Sequence, residues 1–97
     1  MRIIARKTIV EYGRLHADAK TSLESWFHTA KAAKWDNLQD IKSTFNSVDY
    51  AGNDRYVFNI KRNYYRLVVK INFKLKIIYI RFFGTHEEYD KINCSVI

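Results

Sequence analysis

From Arg55 to Phe83 the chain reads RYVFNI-KRN-YYRLVVKINF-KLK-IIYIRFF, and its apolar residues recur with a period of two. Tyr56, Phe58 and Ile60 alternate with Arg55, Val57 and Asn59. After Lys61-Arg62-Asn63, Tyr65, Leu67, Val69, Ile71 and Phe73 alternate with Tyr64, Arg66, Val68, Lys70 and Asn72. After Lys74-Leu75-Lys76, Ile78, Ile80 and Phe82 alternate with Ile77, Tyr79, Arg81 and Phe83. Period two sends successive side chains to opposite faces of a strand, and short polar connections join antiparallel neighbours. The stretch therefore predicts a three-strand antiparallel meander with one apolar face turned to a core.

Upstream the period lengthens. Ala19, Leu23, Trp26, Phe27, Ala30 and Ala33 trace one face of a helix that Asp18 is expected to cap, with Trp26 and Phe27 as core anchors. Asn37, with Asp40 three residues on, opens a shorter helix through Leu38, Ile41 and Phe45. Nearer the start, Thr8 is the expected N-cap of an amphipathic helix through Ile9, Val10, Tyr12 and Leu15, weakened in the middle by Gly13. Arg2 to Ala5 reads as a short edge strand. The sum is an α+β fold, N-terminal helices packed on an antiparallel β-sheet. One domain is expected over residues 1–97: helical at 6–46, sheet at 47–86, and a short C-terminal turn or helix at 86–97.

Charge is unevenly distributed. The 97 residues carry a net charge of +7, yet from Arg55 to His86 there are cations (Arg55, Lys61, Arg62, Arg66, Lys70, Lys74, Lys76, Arg81) and no Asp or Glu. Such a field favours a polyanionic partner. Strand parity puts Arg66, Lys70 and Asn72 on the non-core face of the middle strand, flanked by Arg55 and Asn59 on one side and Tyr79 and Arg81 on the other. Arg, Lys, Asn and Tyr together suit phosphates and stacked bases, with Lys61 and Arg62 at the adjoining turn. A plain solvated face is the competing reading. The single cysteine, Cys94, cannot form an internal disulfide, and no Cys/His spacing of zinc type occurs. Neither a signal-peptide core nor an apolar run of about 20 residues is present, so a cytoplasmic location without membrane contact is expected.

The candidate chemistry follows the last strand, in Gly84-Thr85-His86-Glu87-Glu88-Tyr89-Asp90. His86 is the natural acid or base at neutral pH. Tyr89 offers a phenol whose pKa is expected to fall beside the cations, and Asp90 can orient His86 or a lysine. Arg66 and Arg81 can stabilise a charged phosphorane. RNA brings its own nucleophile, the 2′-hydroxyl, so a base, an acid and phosphate donors suffice without a metal or other cofactor. Thr85 or His86 capping a helical turn is the structural alternative, and it is compatible with the chemical one. His16, His28, Asp18, Asp36 and Asp40 read as structural, the three aspartates as caps or surface charges.

The residues Met1-Arg2-Ile3-Ile4-Ala5-Arg6-Lys7-Thr8, Trp35 to Lys42, Arg55-Tyr56-Val57-Phe58-Asn59-Ile60 with Tyr65-Arg66-Leu67-Val68-Val69, and Tyr79 to Asp90 resemble the HigB toxins of type II toxin–antitoxin systems, in the RelE/ParE superfamily. That resemblance implies a RelE/ParE-like toxin fold and a ribosome-dependent mRNA endonuclease, an mRNA interferase acting in the A site to inhibit translation. It implies a cognate helix-turn-helix antitoxin (HigA-like) through which alone the toxin meets operator DNA. By it Arg66 and Arg81 contact phosphate, and His86, Tyr89 and Asp90 move protons. The ParE branch shares the architecture but inhibits gyrase, so a non-catalytic inhibitor of a protein target, or a plain RNA-binding module, stands as the alternative.

Overall fold

The alternating stretch forms the centre of a five-stranded sheet. The computed structural model describes the backbone of residues 1–97 and the side chains of all but Arg6 and Lys7. In chain order the elements are β1 (Arg2–Ile4), α1 (Arg6–Leu15), a 3-10 turn (Ala17–Ala19), α2 (Lys20–Ala32), α3 (Leu38–Thr44), β2 (Val48–Gly52), β3 (Arg55–Ile60), β4 (Tyr65–Asn72), β5 (Ile77–Thr85) and α4 (His86–Asp90). Strand order across the sheet is β1-β5-β4-β3-β2. Neighbours run antiparallel except β1, which lies parallel to β5. The meander expected from the sequence is β3-β4-β5. To it the structure adds β2, hairpinned to β3 through Asn53 and Asp54, both at positive φ (50° and 65°) as a two-residue hairpin requires.

The helices cover one face of this sheet. Leu23, Trp26, Phe27 and Ala30 of α2 and Ile41 of α3 pack with Phe58, Leu67, Val69, Ile71, Ile78 and Ile80, all buried. Trp26, Trp35 and Phe45 surround Phe58 at ring distances of 5.3, 6.3 and 5.3 Å, so the anchor role expected of Trp26 and Phe27 holds. Asn37 Oδ1 accepts the Asp40 amide at 3.0 Å, capping α3 as expected.

Two expected caps are corrected. Thr8 lies inside α1, which begins after Ala5 in the left-handed region (φ 75°), and no side chain caps it. Asp18 sits in the 3-10 turn, and α2 starts after Ala19. The Asp18 carboxylate instead accepts from Tyr65 Oη at 2.6 Å and Lys61 Nζ at 3.1 Å, tying the helical layer to the β3–β4 turn. Gly13 is tolerated in α1 because the Lys20 chain crosses it, 3.3 Å from where a Cβ would stand.

One parity expectation also fails, for a local reason. Val68 pairs with Phe82 and Val69 with Ile80, leaving Arg81 as the extra residue of a β-bulge. The phase of β5 flips there. Phe83, not Phe82, is the buried ring, packed on Tyr12, His16 and Tyr65.

Candidate functional site

On the face away from the helices, register fixes which side chains are neighbours. Asn59, Arg66 and Gly84 form one row across β3, β4 and β5. Val57, Val68 and Phe82 form the next, and Arg55, Lys70 and Tyr79 the one after. The expected basic face is therefore two basic ends parted by an apolar belt. Val57 and Val68 are buried, at 4% and 0% exposure, although neither joins the helix-side core. The segment after α4 lies across this face, where Asn53 Nδ2 donates to Ser95 O at 3.0 Å, and Arg55 Nε and Arg81 Nε donate to Ile97 O at 3.0 and 3.1 Å. Alternation alone could not reveal that cover.

The first basic end holds the chemistry. Thr85 Oγ1 accepts the Glu88 amide at 3.2 Å and Glu88 Oε1 accepts the Thr85 amide at 2.8 Å, a reciprocal capping box that starts α4 at His86. These bonds hold the Glu88 carboxyl below the usual range. Gly84 leaves room just before the cap: a Cβ there would stand 2.8 Å from the tip of the Phe82 ring and 3.1 Å from Glu88 Oε1, so both side chains would have to shift. The structural and chemical readings of the motif thus coexist, because the cap fixes where His86 stands.

His86 is held on both ring nitrogens. Arg66 Nη2 lies 3.0 Å from Nδ1, and Nε2 lies 3.2 Å from Asp90 Oδ2, one helical turn along α4. A guanidinium only donates, so Nδ1 is the acceptor and Nε2 carries the hydrogen that faces Asp90. Arg66 is itself aimed by the β3–β4 turn, donating from Nη1 to Asn63 O at 2.9 Å and Tyr65 O at 3.3 Å. The same turn accepts the His86 amide at Tyr64 O, 3.2 Å. One turn therefore positions both residues. Asp18, through Lys61 and the Tyr65 phenol, braces that turn from the helical side. The carboxylate pushes the Tyr65 phenol up to about 12, and the two donors hold Asp18 below its ordinary value.

Tyr89 departs from expectation. Its Oη lies 3.4 Å from Cys94 Sγ, and that contact, with burial, pushes the phenol up to about 12 although Arg66 pulls the other way. The expected fall in its pKa is therefore corrected: the contact with Cys94 raises the phenol instead of lowering it.

The second basic end gathers Arg55, Lys70, Asn72, Tyr79 and Arg81. Lys70, Asn72, Tyr79 and Arg81, with Asp54 and Ile71, line a groove of about 260 Å³. Arg55 stands directly opposite Lys70, a like-charge pair that disfavours the isolated sheet and favours an anion between them. Lys70 stands four positions after Arg66 on β4, about 13 Å along the strand. Arg81 lies at this end, bonded to Ile97 O, and the structure does not bring it into contact with Arg66 or His86. Asn72 Oδ1 accepts the Leu75 amide at 3.0 Å and so serves its turn. Asn59 is bonded to Ser47 Oγ, and exposed Arg62 lies beside it in a shallow recess with Asn63. Lys61 is drawn to Asp18 and away from the strand face. The Asn63 and Tyr64 carbonyls and the Asp18 brace were invisible to sequence reasoning, since main-chain acceptors and tertiary partners leave no pattern in the order of residues.

Comparison with known proteins gives a consistent result. Residues 19–92 match the HigB toxin family, described as the RelE-like toxic component of a toxin–antitoxin system. The mRNA interferase toxin HigB of Escherichia coli K12 is 29% identical over 92 residues, spanning 93% of this chain and 88% of the relative. The mRNA interferase HigB of Shigella flexneri matches at the same 29% over 92 residues, again 93% and 88%. That of Escherichia coli O6:H1 is 26% identical over 94 residues, 95% of this chain and 91% of the relative.

Proposed function

This chain belongs to the HigB toxin family, the RelE-like toxic component of a toxin–antitoxin system, and we propose that it is an mRNA interferase whose RNA cleavage is centred on His86. An antitoxin partner follows from the family; we further propose a HigA-like helix-turn-helix antitoxin that alone meets operator DNA, a cytoplasmic setting, and message in the ribosomal A site as substrate. Among the described residues no helix is long and apolar enough to cross a membrane.

The observation that carries the reading is the chain of contacts from Arg66 to His86 Nδ1 and from His86 Nε2 to Asp90. On RNA binding, Arg66 turns from the imidazole to the scissile phosphate and Nδ1 accepts the 2′-hydroxyl proton. The 2′-oxygen bonds to phosphorus, the bond to the 5′-oxygen breaks, and that oxygen takes a proton from Tyr89. Asp90 stabilises the imidazolium through Nε2–H, and the Arg66 guanidinium the charge on the phosphorane. Products are a 2′,3′-cyclic phosphate and a 5′-hydroxyl. No metal enters this scheme. Arg55, Lys70, Tyr79 and Arg81 hold flanking RNA through its phosphates and bases, with Asn59, Lys61, Arg62 and Asn72 at the margins of the track.

The test is to supply purified protein with programmed ribosomes in the presence of EDTA and map the message ends. Cleavage within the A-site codon leaving a cyclic phosphate supports the proposal. Growth arrest by induced protein with intact message, and inhibited gyrase, would place the chain with non-catalytic inhibitors.

A further inference from the structure

Tyr64 is the one aromatic of the β3–β4 turn left outside the sheet, and its neighbour Tyr65 is buried in the core. Of the two tyrosines more than half exposed, Tyr50 (53%) is engaged by the Tyr56 ring at 5.2 Å and by the Asp54 amide at 3.4 Å. Tyr64 (64%) meets only the Lys61 ammonium, 5.8 Å from its ring centroid, and no other ring among the described residues. An isolated exposed aromatic is ordinary. Three features set this one apart.

Its main-chain oxygen accepts the His86 amide, so the ring is rooted one hydrogen bond from the proposed base. The preceding Lys61 and Arg62 both hold positive φ, 49° and 60°, a conformation that non-glycine residues adopt only at a cost. That backbone presents Tyr64 outward and gives its carbonyls to Arg66 and His86 in the same turn. Finally, Lys61, Arg62 and Arg66 flank it along the turn with no acid among them, and the Lys61 ammonium, which also pairs with Asp18, lies over one side of the ring. An exposed π-face in a cationic turn, beside the proposed cleavage site, suits a base swung out of its stack.

We propose that Tyr64 stacks on a base of the cleaved codon and so anchors the strand beside His86, a substrate-binding role that rests on the cleavage reading above. Stacking is tolerant of base identity, so Tyr64 governs how firmly the strand is seated more than which base is chosen.

The experiment uses the full chain with ribosomes programmed by a message carrying 2-aminopurine in the A-site codon, whose fluorescence falls on stacking. Tyr64→Phe should quench and cleave like the parent. Tyr64→Leu, similar in bulk but without a π-face, should lose the quench and raise KM on the order of tenfold, with kcat within about twofold because main-chain oxygens hold Arg66 and His86. Quenching and KM unchanged in a cleaving Tyr64→Leu protein overturns the stacking proposal and leaves the cleavage reading standing. Tyr64-dependent quenching with no cut in the parent supports the base contact and removes the cleavage reading. Neither quench nor cut in the parent removes both.

Discussion

Arg66 and His86 meet side chain to side chain at 3.0 Å, although twenty residues separate them, because both are bonded to carbonyls of the β3–β4 turn. The pairing makes the imidazole an acceptor at Nδ1 and leaves a phosphate ligand beside a proton acceptor. Arg66→Ala should reduce single-turnover cleavage by roughly 10²- to 10³-fold, the usual loss for a removed transition-state donor. Arg66→Lys should recover only part of it, since an ammonium lacks the fork that reaches His86 and Asn63 O together. Both variants should melt near the parent temperature, checked by circular dichroism, because Arg66 is not part of the core.

The capping box gives a second expectation. Thr85→Ala removes one acceptor at the start of α4 and should cost about 1 kcal/mol. Gly84→Ala should cost more, about 1–3 kcal/mol for overpacking, since its Cβ meets the Phe82 ring at 2.8 Å. Denaturant titration measures both. Cleavage should fall in parallel, because the box sets the position of His86.

The Asp18–Tyr65 bond predicts a pH dependence of stability. Asp18 is lowered in the fold, so its contribution is full above the ordinary carboxylate value of about 4 and fades as pH falls through the lower folded value. Tyr65 is raised to about 12, so its contribution is full below the ordinary value and lost as pH rises through the folded one. Tyr65→Phe should therefore lower the melting temperature by a near-constant amount between about pH 5 and 9. The gap to the parent should close at both extremes, as thermal scans across pH would show.

At the second basic end, Arg55→Gln and Arg81→Gln should each weaken RNA binding and flatten the log–log salt dependence by a slope of about 1. Cleavage at saturating RNA should change little. Equal kcat loss in Arg81→Gln and Arg66→Ala would instead put Arg81 in the reacting centre.

Much of this molecule is legible in its order of residues. Alternation from Arg55 to Ile80 identifies three strands and their core face, and Trp26, Phe27 and Asn37 take the expected places, because burial and local capping act over a few residues. His86, Asp90 and Arg66 were also singled out, and the structure brings them together. Most of the failures arise from contacts that the local pattern of residues does not carry. The Arg81 bulge flips Phe82 and Phe83, Asp18 reaches Tyr65 instead of capping α2, and the segment after α4 bonds to Asn53, Arg55 and Arg81. Cys94, five residues from Tyr89, raises the phenol that the cations were expected to lower.

The central claim is tested most directly by His86→Ala in the programmed-ribosome assay, with folding verified by near-UV circular dichroism. Cleavage in the A-site codon should fall by roughly 10²- to 10⁴-fold, the range for a removed general base, with ribosome binding retained. A folded His86→Ala protein that cuts message at the parent rate, leaving the same cyclic phosphate, would contradict the account.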